Sequence, residues 1–252
     1  MDPTTLTARQ VRIDLSGRTI LRDIHCDVAT GSWVSLVGAN GAGKSTLLRS
    51  LAGWHRPKAG QVLLAGGGSG DGDSGSGGLV DPLADVLLVP QPEDLPTWLS
   101  GRELLDICVA GRMRRPPEGW AFVLDLLDAG HWMDRPVSAL SLGTRKKLCI
   151  ATALCTGPRL LLLDEAFDGL DARASVRIRG WLRQEVTSGR PGILSASHAW
   201  EAVFADSDSV LFLDGGRIVR TLQPGAFDHL ARQAAALQAA VLEAFETGGA
   251  GS

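Results

Sequence analysis

Residues 38–45 read Gly-Ala-Asn-Gly-Ala-Gly-Lys-Ser: three glycines in six positions, then a lysine and a hydroxyl. Glycine reaches backbone conformations closed to other residues, so such a run can curl until successive N–H groups face one point. Before it lies Trp33–Val37, a short apolar stretch that reads as a buried strand; after it Ser45–Leu51 reads as a helix. A strand, a glycine turn and the positive N-terminal end of a helix make a cradle for a polyphosphate. In that cradle Lys44 is placed to reach the β- and γ-phosphates of a nucleotide and the Ser45 hydroxyl to ligate Mg²⁺. Gly38, Asn40, Gly41, Ala42, Gly43, Lys44, Ser45 and Thr46 are the expected nucleotide contacts.

A second feature lies far along the chain. Leu160-Leu161-Leu162-Leu163 runs into Asp164-Glu165, so a strand with no polar face delivers two carboxylates at its C-terminal end. Open parallel sheets collect ligand chemistry at that edge. Asp164 is expected to hold Mg²⁺ through water, and Glu165 to polarise the attacking water as a general base.

Between and around these two segments, strands alternate with helical stretches. Val11–Leu15 and Ile20–Val28 read as an antiparallel opening section, followed by strands at Gln61–Leu64 and Asp85–Val89. The pattern is helical from Leu99 to about Cys155, with breaks at Arg115-Pro116-Pro117 and around Gly130. Arg159–Leu163, Gly192–Ser195 and Val210–Leu213 read as strands and Ala172–Val186 as a helix. Parallel strands with crossover helices, interrupted by an all-helical insert, predict one α/β domain over 1–252. Its mostly parallel sheet is flanked by helices, opens on an antiparallel β section, and carries a helical subdomain over about 95–157. Gly66–Gly78 contains no apolar residue and is expected to be a mobile surface loop within that domain, not a linker between two. Residues 226–246 have the amphipathic pattern of a C-terminal helix.

Composition narrows the function classes. A net charge of −3 argues against a broadly basic nucleic-acid surface, and no nucleic-acid partner is expected. The basic run Arg112–Arg115 is short and abuts a proline pair, so it reads as a solvated loop. Four cysteines without metal-site spacing read as reduced, mostly buried thiols. The apolar runs Leu160–Leu163 and Val86–Val89 fall far short of the ~20 residues of a membrane-crossing helix, and no signal segment precedes them. Trp98, Trp120, Trp132 and Trp181 are expected in core or interface packing, and Trp54 against the helix that follows the glycine loop.

Six segments in order carry a family resemblance: Val37–Leu47 (VGANGAGKSTL), Val89-Pro90-Gln91, Leu140-Ser141-Leu142-Gly143-Thr144, Leu160–Glu165, Gly169-Leu170-Asp171 and Ser197-His198. Together they resemble the phosphate loop, Q-loop, LSGGQ signature, second acidic motif, D-loop and switch histidine of an ABC transporter nucleotide-binding subunit. The resemblance implies the P-loop NTPase fold, ATP and Mg²⁺ as ligands, and ATP hydrolysis driving a separate transmembrane permease. It also implies a head-to-tail dimer, with an identical or a different subunit, that sandwiches two ATP molecules. The chain is then expected in the cytoplasm, held at the inner face of the cell membrane by the permease.

Residue roles follow from the same resemblance. Gln91 would meet the Mg²⁺ and lytic water and report nucleotide state to the permease. His198 would touch the γ-phosphate and hold the water and Glu165. Ser141 and the Gly143 backbone would reach the γ-phosphate held by the other subunit, with Asp171 on that interface. Three positions depart from the pattern: Leu142 and Thr144 stand in the signature for glycine and glutamine, and Ala166 follows Glu165 where proline is common. Leu15 or Ser16 holds the place of the aromatic that stacks on adenine, in a chain without tyrosine. Ser141–Thr144 followed by Arg145-Lys146-Lys147-Leu148 resembles exporter-type subunits. Two alternatives stay open: a soluble relative acting on ribosomes or DNA, and a poorly hydrolysing regulatory partner.

Overall fold

The computed structural model describes residues 5–65, 85–111, 119–223, 225–229 and 232–233. The Gly66–Gly78 loop, the Arg112–Arg115 run, the Arg115-Pro116-Pro117 break and most of the 226–246 helix lie outside those residues.

Two sheets organise the chain. Strands β1 (Thr5–Leu15), β2 (Arg18–Ala29) and β4 (Ala59–Ala65) form an antiparallel sheet in the order β2-β1-β4. The second sheet has the order β5-β6-β7-β3-β8-β9, built from β3 (Trp33–Val37), β5 (Val86–Leu88), β6 (Leu160–Asp164), β7 (Gly192–Ala196), β8 (Ser209–Asp214) and β9 (Arg217–Leu222). All its pairings are parallel except β8 with β9. Six helices join or flank the strands among the described residues: α1 (Lys44–Leu51), α2 (Gly101–Gly111), α3 (Trp120–Leu126), α4 (Leu142–Leu154), α5 (Ala172–Thr187) and α6 (Trp200–Asp206).

The six-stranded sheet separates two apolar cores, and strand periodicity explains how. On β6, Leu161 and Leu163 pack on one side with Leu104, Val123 and Leu148 of the helical region, and with Ile178 and Leu182 of α5. Leu160 and Leu162 pack on the other with α1 (Leu47, Leu48) and the antiparallel sheet (Leu6, Val11, Leu21). All four leucines are essentially inaccessible, which is why this strand has no polar position until Asp164. Truncating any of them to alanine should cost about 2–5 kcal/mol.

The strands and helices predicted within the described residues are present, most of them a residue or more longer. Sequence reading missed β9, whose side chains are mostly exposed, and α6, only seven residues long. One tryptophan expectation needs correction: Trp54 is 55% exposed and so is not packed away on α1. Trp98, at 79% exposure, belongs to no core, which leaves the interface half of its expectation. Trp132 is buried, and Trp120 and Trp181 lie partly buried against the helical-side core. Cys26, Cys149 and Cys155 are buried thiols outside any disulfide and Cys108 is half-buried; burial pushes the Cys26 and Cys149 thiols up to about 12.

Candidate functional site: the carboxyl edge of the parallel sheet

Three adjacent strands, β6, β7 and β3, end at one edge and supply most of the expected site residues. β3 leads into the glycine loop. Gly41 and Gly43 take positive φ values of 81° and 107°. Gly38 is glycine for a different reason: a side chain there would run into the Leu213 carbonyl of β8. Gly43 meets both demands, since an added Cβ would lie 2.8 Å from the Leu21 side chain. α1 starts at Gly43 with no side-chain cap, so the first N–H groups of the helix have no side-chain acceptor there. Lys44 is buried and donates to the Gly38 carbonyl at 2.9 Å and the Ala39 carbonyl at 3.3 Å. Ser45 and Thr46 are half-buried in the same turn, Ala42 is buried, and Asn40 is exposed at the tip.

β6 ends at buried Asp164, and Glu165 follows with φ 51°, a left-handed conformation uncommon for a residue with a side chain. The turn is anchored by Glu165 N–H donating to the Ala196 carbonyl of β7 at 3.1 Å and by Asp168 N–H donating to the Glu165 carbonyl at 3.1 Å. His198, two residues past β7, has Nε2 at 2.8 Å from Glu165 Oε1 and 3.3 Å from Lys44 Nζ. A carboxylate only accepts, so the ring N–H belongs toward Glu165, and Lys44 directs its own hydrogens to the loop carbonyls. The structure therefore brings Lys44, His198 and Glu165 into one contiguous row. Burial, then the adjacent Glu165 charge, raises the nearby Asp168 carboxyl above the usual carboxylate range, with Lys146 and His198 opposing.

Gln91 arrives from the outlet of β5. Its Nε2 donates to the Asp164 carbonyl at 3.0 Å, and its side chain also forms a reciprocal cap with Asp94 at the start of a short 3₁₀ turn. It is thus fastened to the strand that carries the acidic pair. A cavity of about 300 Å³ opens between the glycine loop and the β7 outlet, lined by Gly38, Ala39, Ser197, His198, Trp200 and Phe212.

Ser141, Gly143 and Asp171 make their bonds elsewhere. Ser141 caps α4: its Oγ accepts from Thr144 N at 3.2 Å and lies 2.8 Å from Thr144 Oγ1. Asp171 caps α5 by accepting from Ala174 N at 2.7 Å. Both residues are exposed, as is Leu142 beside Ser141, and Gly143 packs near the Gly169 carbonyl. Leu15 is half-buried against the core shared with the antiparallel sheet, next to a hairpin turn at Ser16 with φ 49°.

Sequence reading missed Lys146. It donates from α4 to the carbonyls of Asp168 and Glu165, the latter at 3.4 Å, and lines a small cavity with Gln91 and Asp164. The available signal was a second cation in the Arg145-Lys146-Lys147 run one turn past the signature.

Comparison with known proteins gives a consistent picture. The sequence model of the family described as "ABC transporter" matches residues 21–168. The cobalt import ATP-binding protein CbiO of Salmonella typhimurium is 33% identical over 211 residues, covering 82% of this chain and 76% of that protein. The aliphatic sulfonates import ATP-binding protein SsuB 2 of Rhodococcus jostii is 32% identical over 220 residues, covering 87% and 82%. The solved structure of a bacterial Atm1-family ABC exporter with ATP bound superposes with a TM-score of 0.71 at 27% identity, covering 95% of this chain and 43% of that one.

Proposed function

The chain belongs to the ABC transporter family, and on that premise we propose that it is the ATP-hydrolysing subunit that drives a separate membrane permease. The observation that carries the proposal is the row Lys44–His198–Glu165 at the end of three neighbouring strands, with Gln91 fastened to Asp164 beside it. The glycine loop, the uncapped start of α1 and Lys44 hold the phosphates, with Asn40 and Thr46 on the loop and its helix. Glu165 is the general base that takes a proton from the attacking water, and His198 holds Glu165 in place and reaches the γ-phosphate.

The side chains offered to a metal fit Mg²⁺. Ser45, Asp164 and Gln91 supply hard oxygen donors, and no group of three His, Cys, Asp or Glu residues gathers among the described residues. Such a sparse oxygen set suits an ion whose remaining positions are filled by phosphate oxygens and water. When bound, Mg²⁺ would neutralise charge on the phosphates.

The second half of each site comes from another ATP-binding subunit. Ser141, Leu142 and Asp171 are exposed, as expected of a surface that a partner's nucleotide covers. The permease docks where β5 meets the helical subdomain. A groove of about 340 Å³ there is lined by Leu87, Leu88, Pro90, Ile107, Cys108 and Thr152, next to Gln91. No helix among the described residues is long and apolar enough to cross a membrane. The signature segment was expected to mark an exporter, whereas the two curated relatives described above are import proteins. We therefore place uptake ahead of export.

The test is Mg-ATP hydrolysis by the chain with its reconstituted permease, alongside Lys44→Ala and Ile107→Asp. Lys44→Ala should abolish hydrolysis, and Ile107→Asp should lose the permease while retaining ATP binding. Turnover unaffected by Lys44→Ala would overturn the proposal.

A further inference from the structure

We propose that Lys146 is a positioning residue that holds the turn bearing Glu165 and couples it mechanically to the signature helix of the same chain. This rests on the reading of Glu165 as the general base and of Ser141 and Gly143 as contacts for the partner's nucleotide.

Three observations carry it. Lys146 leaves the second turn of α4, the helix that Ser141 caps, and its ammonium group donates to two main-chain carbonyls, those of Glu165 and Asp168. Those carbonyls flank the turn in which Glu165 holds φ 51°, a strained conformation for a residue with a side chain. A charged donor shared between two carbonyls is among the stronger hydrogen-bonding arrangements, so it offsets much of that strain. Its neighbour Lys147 works in parallel: it pairs with Asp128 at 2.7 Å and lies 3.8 Å from Asp171, the cap of α5. Two successive cations thus fasten the start of α4 to both ends of the segment 165–171.

The geometry gives this a direction. The tip of α4 faces outward and Glu165 faces its own chain's phosphate loop through His198. A movement of α4 on capture of the partner's nucleotide is therefore transmitted through Lys146 to the carbonyl of the base itself. Lys146 directs its ammonium group to main-chain carbonyls, away from the groups assigned above to the nucleotide. Its effect falls on the rate of the chemical step and leaves ground-state binding alone.

The experiment is single-turnover hydrolysis of labelled ATP by the full chain in excess, with Kd for ATP titrated separately in EDTA. Lys146→Met keeps an unbranched apolar stem, one atom shorter, and removes the donor, and should slow the chemical step at least about tenfold while Kd stays within twofold. Lys146→Arg keeps the cation and should restore most of the rate. Lys146→Gln, whose amide is one atom shorter and cannot span both carbonyls, should fall between them and replaces Lys146→Met if that variant does not fold. A rate within twofold of the parent for the donor-free variant, a parallel loss of affinity, or no recovery with arginine would each overturn the inference. Glu165→Gln run beside them separates the two levels. If it hydrolyses at the parent rate, the reading of the base fails; if it is inactive and Lys146→Met is not, the coupling alone fails.

Discussion

The N-termini of α1 and α4 are both expected to meet phosphate, yet they are built in opposite ways. α1 begins at a glycine with no side-chain cap, against a buried lysine, at the outlet of a central strand. α4 begins at Ser141, whose hydroxyl already accepts from its own helix and pairs with Thr144, at a fully exposed corner. The first is a receptacle formed before any ligand arrives. The second satisfies itself: the Ser141 hydroxyl already accepts from Thr144 N–H and pairs with the Thr144 hydroxyl. The α1 end is thus left without a side-chain cap, whereas the α4 end is already capped from within its own first turn.

The largest expected effect breaks the catalytic side of this contrast and leaves the receptacle whole. Glu165→Gln should cut turnover by about 10²-fold or more, the range of a lost general base, while ATP affinity stays near the parent's. Quenched-flow hydrolysis beside equilibrium titration would reveal any residual turnover above about a tenth of the parent, which would displace Glu165 from that role.

Damage to the receptacle itself should come next. Gly43→Ala forces a side chain into φ 107° and against Leu21, a strain of about 1–3 kcal/mol. Thermal melts and ATP titration should both register it. Gly41→Ala is the informative control, because an added Cβ there meets nothing within 4 Å and only the backbone term remains. Equal losses for the two variants would mean that the Leu21 contact does not matter.

A smaller effect should separate the two helix ends. Ser141→Ala removes a cap worth about 1 kcal/mol in stability. ATP affinity of the isolated chain should be unchanged, since α1 does not depend on Ser141. ATP-dependent dimerisation on the Glu165→Gln background, read by light scattering, should weaken. If affinity of the isolated chain falls instead, the two termini are not independent and the contrast collapses.

The smallest change adds to the receptacle without touching α4. Leu15→Tyr should tighten ATP binding two- to tenfold, the equivalent of the roughly 0.5–1.5 kcal/mol a stacked aromatic contributes. Titration of ATP and CTP would distinguish a stacking gain from a general one; unchanged affinity for both would place the base elsewhere, with Arg18 the next candidate.

What could be read from the sequence follows this same division. The glycine loop and the Leu160–Glu165 strand announce themselves because their constraints are local: φ freedom in one, an unbroken apolar run in the other. The roles proposed for Gln91, Ser141 and His198 come only through resemblance, since nothing in a lone glutamine, serine or histidine specifies a partner. The left-handed Glu165 turn and the reach of Lys146 to it were not readable, because both depend on α4 lying against the β6 outlet. β9 escaped because it is an edge strand with few buried side chains, so the alternation that betrays a half-buried strand is absent.

The adjacency of β6, β7 and β3 has a consequence for how such a chain can age. Neighbouring strands stand about 4.8 Å apart because backbone hydrogen bonds hold them there, so the acidic strand and the phosphate-loop strand are separated by about 10 Å whatever side chains they carry. The sheet is a ruler made of main chain. Substitutions among the leucines, valines and isoleucines along these strands alter core volume but leave the graduation marks where they were. Sequence can therefore drift widely through the interior while the reacting groups keep their lateral spacing, and a minority of shared residues suffices to preserve one reaction geometry.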